Sequence, residues 1–265
     1  MMARGDGGIE GGGMTSLPQT ESLPQTDAWT YDDFTSPELD PARWTIMSIG
    51  GADGERHRYR DRNARVRTGD GRLELTVNPF TRFHDTDPRQ NNAKQMYRST
   101  RRFAVPASGR LTFEVEMGVR TYGQVPHDLL DAFGTVNVFD LETGVVLNAA
   151  ATNDTVYAVI ERLALPGVAR PHEHFIHRVV LNVPTEPGQR HRYTIGYRAG
   201  TSEVEFHVDG RLAYWARLPV EVAGFHAGMA LFSARDLSRY TRAEREHGQG
   251  ATGRWGPWRV TAGVR

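Results

Sequence analysis

The sequence predicts an all-β fold, a two-sheet antiparallel β-sandwich, and three observations lead to this prediction. After Tyr31, most of the chain consists of short segments in which apolar and polar residues alternate with a period of two. Gly, Pro, Asn and Asp separate these segments, as expected for tight turns. No segment of twelve or more residues carries an apolar helical stripe, because the best candidate, 238–248, is polar nearly all round. The lack of a repeat of blade length favours a sandwich over a propeller.

Eight segments match the strand pattern closely, and together they cover the middle and the late part of the chain. They are 72–77, 109–117, 132–139, 156–163, 175–183, 191–198, 202–218 and 228–234. Within the seventh of these, Asp209-Gly210 predicts a two-residue type I′ turn, so 202–218 is predicted to be a hairpin. The sequences LETG at 141–144 and TND at 152–154 predict further tight turns.

Composition limits the classes of partner. The 265 residues have a formal net charge of zero, so no overall field attracts nucleic acid or an anionic membrane, and neither is expected as a partner. No run of eighteen apolar residues is present, so no membrane span is predicted. The lack of cysteine excludes disulfides, thiolate catalysis and cysteine-ligated metals. Lys94 is the only lysine, an arginine bias typical of a GC-rich bacterial genome, and composition leaves the oligomeric state open.

Residues 1–28 are rich in glycine and low in hydrophobicity, which predicts a disordered tail ahead of a single sandwich domain at 29–265. The tail lacks the apolar core of a secretory signal, so a cytoplasmic location is expected. Trp44, Trp255 and Trp258 are assigned to the core and to strand pairing.

Three stretches resemble one known superfamily. DDFTSPELDPARWTI at 32–46 resembles the opening of the concanavalin A-like lectin/glucanase sandwiches, in which an Asp-Phe pair begins an edge strand. The region 191–219 is similar to their late hairpin, and 254–263 to the terminal strand that returns beside the first. The resemblance implies a jelly roll with a concave, ligand-binding sheet, and it fits a family of unassigned function.

The catalytic pattern of glucanases with this fold is not found. Their two carboxylates lie on one strand in a Glu-x-Asp-x-(x)-Glu pattern, so that both point to the same face. The stretch expected to carry it, 131–144, holds only Asp131 and Asp140, roughly 30 Å apart along an extended strand. A retaining glucanase is therefore not predicted.

The segment 78–95, NPFTRFHDTDPRQNNAKQ, is far longer than an ordinary hairpin link and rich in polar groups. His84-Asp85 places an imidazole, the natural acid or base at neutral pH, beside a carboxylate. We predict that the segment closes over one end of the concave sheet with His84 pointing into the groove. The alternative is a long solvated loop in which Asp85 or Asp87 caps a turn before Pro88. The substrate-binding candidates of this segment are Asn78, Arg82, Asn92 and Gln95.

Histidines recur in RPHEHFIHR at 170–178. His172 and His174 lie on one face if the chain is extended, and His177 follows three residues later. Three interpretations stay open: histidines that face a substrate, a zinc site completed from elsewhere, or plain solvation of a loop. His174 is kept as a catalytic candidate, His172 and His177 as binding candidates, and no metal is predicted.

A second long connection, 120–133, is predicted to approach the same end of the sheet. His127 is its acid–base candidate, and Tyr122 together with Tyr97 is predicted to stack on a sugar or an unsaturated chain. A surface Ω-loop is the alternative.

Polar residues also interrupt the apolar alternation of the middle strands, as concave-face residues of this fold do. They are Asn137, Asn148, Tyr157, Glu161 and His177. Glu161 is predicted to be a lone carboxylate in the groove, where burial would raise its pKa. The alternative places it on a solvated outer face.

These features favour a cytoplasmic enzyme that acts on a small polyol- or polyketide-like molecule by positioning and proton transfer, through hydrolysis, elimination or cyclisation. Its catalytic candidates are His84, Asp85, His127, Glu161 and His174. No cofactor is predicted, since the sequence has neither a nucleotide-binding glycine motif nor a P-loop. A non-catalytic carbohydrate-binding module and a protein-interaction domain are the alternatives.

Overall fold

A computed structural model of the chain describes residues 27–50, 56–81, 93–234 and 250–264. Within these ranges the elements are strands, apart from a single 3-10 turn at Pro171–Glu173, and no helix is long and apolar enough to cross a membrane. The strands are β1 (Asp27–Asp32), β2 (Trp44–Ile46), β3 (Ser48–Gly50), β4 (Arg56–Arg58), β5 (Arg65–Gly69), β6 (Arg72–Val77), β7 (Ala93–Ser99), β8 (Phe103–Ala104), β9 (Gly109–Tyr122), β10 (Phe133–Asp140), β11 (Val145–Ala151), β12 (Val156–Arg162), β13 (Phe175–Val180), β14 (Arg190–Arg198), β15 (Glu203–Val208), β16 (Arg211–Arg217), β17 (Gly224–Ser233), β18 (Gly250–Trp255) and β19 (Trp258–Val264).

The described strands form two large antiparallel sheets and one small ribbon. A nine-stranded sheet has the order β16-β15-β14-β9-β18-β6-β5, with β19 also beside β9 and β1 beside β19. An eight-stranded sheet has the order β13-β12-β11-β10-β17-β7-β2, with β8 beside β17. Strands β3 and β4 pair only with each other. This architecture confirms the predicted all-β sandwich.

The main core lies between the two large sheets. Alternate residues of each strand point into it, such as Leu73 and Leu75 from the nine-stranded sheet and Val136 and Val138 from the other. Burying each such side chain stabilises the fold by roughly 1.5–3 kcal/mol, which makes the core the main source of stability. The three tryptophans assigned to the core, Trp44, Trp255 and Trp258, are buried there, as expected.

The predicted hairpin is confirmed. Strands β15 and β16 pair from Val208 and Arg211 outward, and the two residues between them form the turn. Asp209 and Gly210 have φ angles of 51° and 79°, as a type I′ turn requires at both central positions.

The structure contains strands outside the eight predicted segments, among them β2 to β5, β7, β8 and β11. Strand β11 was not predicted, because nearly all its residues are buried and the alternating signal is lost. Strand β9 continues five residues beyond 117, since one half of it pairs with β19 and the other half with β18. Strand β1 begins at Asp27, two residues before the predicted start of the domain, and the rest of the predicted tail lies outside the described residues.

The eight-stranded sheet turns one face to the core and the other outward. Part of this outer face is covered by the β3–β4 ribbon and the residues around it. The backbone N–H of Met47 donates to the carbonyl of Met96 at 2.9 Å, and that of Tyr59 donates to the carbonyl of Met47 at 2.9 Å. Met47, Ile49 and Tyr59 then pack against Met96 and Phe139, forming a second, smaller apolar cluster on the outer face. This cluster bounds one side of a groove.

Candidate functional site

The groove lies on the outer face of the eight-stranded sheet and encloses about 220 Å³. A row of paired residues crosses its floor: Asn137 of β10 faces Asn148 of β11, Asn148 faces Val159 of β12, and Val159 faces Arg178 of β13. On the other side Asn137 faces Gly228 of β17. A Cβ atom at Gly228 would come within 2.9 Å of the carbonyl oxygen of Tyr97, so glycine is required for close packing here.

Apolar side chains make up most of the groove walls. Met47 and Ile49 come from the ribbon side, Leu141 and Leu163 from the ends of β10 and β12, and Ile176 from β13. Such walls favour an apolar ligand, because they offer a hydroxyl group nothing to replace the hydrogen bonds it makes to water.

Glu161 and His174 form an ionisable pair at the groove. Glu161 lies near the end of β12, and His174 directly follows the 3-10 turn. That turn is held in place by Glu173, which accepts the backbone N–H of Arg170 at 2.8 Å and pairs with Arg162 at 3.0 Å. Its position brings Nε2 of His174 to 3.6 Å from Oε1 of Glu161. A carboxylate and an imidazole at this distance can both reach the same substrate group beside them and exchange a proton with it.

The pKa of the Glu161 carboxyl group is raised because burial among the apolar walls disfavours its charged form. The neighbouring His174 and Arg178 act in the opposite direction and lower it less than burial raises it. The Glu161 side chain nevertheless keeps 18% of its surface exposed, so the carboxyl group stays accessible to a ligand. A raised carboxyl pKa at a partly accessible position is typical of an acid–base catalyst.

Two cations accompany Glu161. Nζ of Lys94 lies 4.5 Å from the centre of the Tyr59 ring, and both residues line the groove. Arg178 projects from the edge strand β13, and among the described residues no carboxylate lies within ion-pairing distance of it.

Two asparagines lie in the floor with different environments. Nδ2 of Asn137 donates to Oγ1 of Thr135 at 2.7 Å. Oδ1 of Asn148 is buried and has no hydrogen-bond partner among the described residues. A buried acceptor without a partner is costly, and a ligand donor would satisfy it. Tyr157 also lines the groove, but its hydroxyl group donates to the carbonyl of Leu129 at 2.8 Å and thereby fixes the 120–133 connection.

The structure therefore brings four predicted candidates together in the lining of the groove, Asn137, Asn148, Tyr157 and Glu161, and places His174 beside Glu161. Two further groove residues, Lys94 and Arg178, were not proposed from the sequence. The available signal for Arg178 was its alternation with Ile176 and Val180, which puts a lone cation on an otherwise apolar face of β13.

Three predicted binding residues near the segment 78–95 do not face the groove, which corrects their assignment. Gln95 is buried, and its Oε1 accepts the backbone N–H of Asp61 at 2.8 Å, so it holds the chain together. Tyr97 points to the face of β7 that packs on the main core. Asn78 is exposed directly after β6, in the other sheet.

Four other candidates are also displaced from the groove. Tyr122 projects from the outer face of the nine-stranded sheet, where its hydroxyl group contacts Oγ1 of Thr252 at 3.1 Å. His127 is 80% exposed and lies beside Asp154. His172 is exposed on the 3-10 turn, and His177 points to Tyr214 of β16 because it alternates with the groove-facing residues of β13.

The remaining candidates, Arg82, His84, Asp85 and Asn92, lie outside the described residues. Asp131 and Asp140 are buried structural groups: Asp131 accepts the backbone N–H of Val125 at 2.6 Å, and Asp140 pairs with Arg102 at 3.1 Å. Within the described ranges no three histidine, aspartate or glutamate side chains are grouped so that they could hold a metal ion.

Comparison with known proteins identifies a family and a fold. The model of a family of unknown function, DUF6081, matches residues 31–264. No curated protein matches the chain by sequence.

Solved structures of glucanases share the architecture. The endo-1,3-β-glucanase from Streptomyces sioyaensis is 13% identical with a TM-score of 0.57, and the match covers 93% of this chain and all of that one. The laminarinase catalytic domain from Thermotoga petrophila is 15% identical with a TM-score of 0.58, over 92% and 100% of the two chains. A LamA variant from Z. galactanivorans, solved with laminaritriose and laminaritetraose, is 11% identical with a TM-score of 0.58, over 90% and 98%. These matches confirm the concanavalin A-like fold inferred from the sequence.

Proposed function

Because the chain belongs to DUF6081, a family without an assigned function, we propose a function from the geometry of its groove. It is an enzyme that binds a small, mostly apolar molecule on the outer face of the eight-stranded sheet and transfers a proton to or from it. The observation that carries this proposal is that Glu161, which lines an apolar groove, lies 3.6 Å from the imidazole of His174.

The two groups have complementary roles. Burial raises the pKa of Glu161, which brings the carboxyl group closer to the pH range in which it can both take up and release a proton. As a carboxylate it accepts a proton from the bound molecule, and His174 donates a proton to the oxygen that leaves or that accumulates charge. A base and an acid placed in this way can catalyse hydrolysis, elimination or ring closure. None of these reactions needs the two carboxylates of the glucanases.

The size and lining of the groove support a small ligand. Cavities near 150 Å³ bind benzene, so about 220 Å³ accommodates one ring with substituents. The LamA variant was solved with laminaritriose and laminaritetraose, but at this low sequence identity the neighbouring glucanases support the fold and not the substrate. Between the two substrate classes suggested by the sequence, the apolar walls favour the polyketide-like class over the polyol-like class.

The test uses a panel of δ-lactones, short-chain 4-nitrophenyl esters and aryl ketones, with turnover or solvent deuterium incorporation as the readout. We expect the wild type to accelerate at least one class and Glu161→Gln to slow that reaction about 10²–10⁴-fold. Glu114→Gln, on the outer face of the other sheet, is the matched control and should behave as the wild type. Equal rates for Glu161→Gln and the wild type would refute the assignment of the acid–base role. Binding of laminaritriose in the groove without turnover of any compound would instead support the carbohydrate-binding alternative.

A further inference from the structure

Arg178 is the unusual charge of the groove. It lies on β13 between Ile176 and Val180, which are 39% and 61% exposed and face the same side of the sheet. Arg178 is exposed, and among the described residues no carboxylate lies within ion-pairing distance of it, although its charge lowers the pKa of Glu161. A guanidinium group flanked by apolar side chains suits a ligand that is mostly apolar and carries one anionic group, because the anionic group can pair with the guanidinium while the rest of the ligand contacts the apolar side chains.

Asn148 supplies the second recognition element. It is two strands from Arg178 in the same cross-strand row, which separates their backbones by on the order of 10 Å. Its Oδ1 is a buried acceptor with no partner among the described residues. Val159 lies between the two residues and provides an apolar floor. Across the three strands, the row therefore presents a cation, then an apolar surface, then a hydrogen-bond acceptor.

From this row we infer that the groove is selective for a monoanionic, mostly apolar hydroxy acid, whose carboxylate pairs with Arg178 and whose hydroxyl group donates to Asn148. The inference rests on the proposed function, since it names the class of molecule that reaches the Glu161–His174 pair. Arginine suits this role because its planar guanidinium group binds a carboxylate through two parallel hydrogen bonds.

Three one-ring probes separate the contributions: 4-hydroxybenzoate, its neutral methyl ester, and benzoate, which lacks the hydroxyl group. Dissociation constants are measured by NMR titration, with the Asn148 side-chain amide and the Ile176 methyl groups reporting whether the probe occupies the groove. We expect 4-hydroxybenzoate to bind about tenfold or more tightly than either of the other probes, as is typical of a charge-assisted hydrogen bond or of a buried acceptor that gains its donor.

The variants assign each preference to a residue. Arg178→Gln should remove the preference for the acid over its ester, whereas Arg72→Gln, an exposed arginine on the other sheet, should keep it. Asn148→Ala should remove the preference for 4-hydroxybenzoate over benzoate and leave the preference over the ester.

Equal affinities of the wild type for acid and ester, or a preference that survives in Arg178→Gln, would overturn the inference. The inference would also be overturned if none of the three probes shifted the NMR resonances of the groove residues. The proposed function is decided separately, because it depends on the rate of Glu161→Gln and not on the charge of the ligand.

Discussion

Nδ1 of His191 lies 2.7 Å from Oδ2 of Asp209, and this contact ties the start of β14 to the hairpin turn between β15 and β16. The other oxygen of Asp209 accepts the backbone N–H of Arg192 at 2.8 Å. Partial burial raises the pKa of Asp209, but the hydrogen bonds from His191 and Arg192 outweigh burial, so the net shift is downward. The carboxylate form of Asp209 is therefore part of the folded structure.

Asp209→Asn should lower the melting temperature at neutral pH by a few degrees, because asparagine keeps the left-handed turn but loses the charge-assisted bond to His191. A carboxyl group with a lowered pKa stabilises the fold above its unfolded pKa, and this contribution is lost as the pH falls through the folded pKa. The difference between variant and wild type should therefore shrink in acid. Thermal melts over a pH series check this, and a difference that grows on acidification would contradict it.

Glu161→Gln should stabilise the protein at neutral pH, by on the order of 1 kcal/mol, as is common when a functional group is removed. The reason is the raised pKa of Glu161: such a group contributes its full stability below the unfolded pKa and costs stability as the pH rises through the folded pKa. The gain should vanish in acid, where both proteins carry a neutral side chain. Denaturant unfolding at acidic and neutral pH measures it, with Glu114→Gln as the control that should show no comparable gain.

His174→Ala should move the ionisation of Glu161 to higher pH, because the imidazole lowers the pKa of that carboxyl group in the wild type. The carboxyl carbon resonance of Glu161, followed by NMR through a pH titration, reports the shift without need of a substrate. His172→Ala removes an exposed histidine two residues away and should leave the titration unchanged. A Glu161 titration that is identical in His174→Ala and the wild type would mean that the two side chains do not interact.

Gln95→Ala should destabilise the fold by roughly 1–3 kcal/mol, the cost of leaving a buried donor, the backbone N–H of Asp61, without its acceptor. Asn78→Ala, at an exposed position, should stay within about 0.5 kcal/mol of the wild type. Chemical denaturation of both variants checks the contrast. A stable Gln95→Ala protein with weakened ligand binding would restore the binding role that the sequence suggested for this residue.

The strands could be predicted from the sequence where one face of the strand is exposed to solvent. Strands that are buried on both faces were predicted less well. Strand β6, with its strict alternation, begins and ends at the predicted residues, whereas β11 has almost no polar face and gave no period-two signal. The hairpin turn at Asp209-Gly210 was predictable because positive φ at two consecutive residues demands a small set of residue types.

The candidate site was predictable where polar residues interrupt a buried strand. Asn137, Tyr157 and Glu161 stood out because the strands around them are apolar, and the structure places all three in the groove. Prediction failed for Tyr122 and His177 because side-chain direction depends on the register of the strand, which a one-residue offset reverses. Gln95 and Asn78 show that a polar side chain at either end of the segment 78–95 serves internal hydrogen bonding or contact with solvent as readily as a ligand.

The pairing of β1 with β19 has a consequence for synthesis of the chain. Asp27 lies opposite Ala262, and β19 in turn pairs with β9 in the middle of the nine-stranded sheet. At about 5–20 residues per second, β1 leaves the ribosome on the order of ten seconds or more before its partner. During that time β1 lacks its partner strand, and its unpaired backbone groups can pair with other nascent chains. A chaperone that shields the first strand should therefore raise the folded yield more than one that acts on the finished chain.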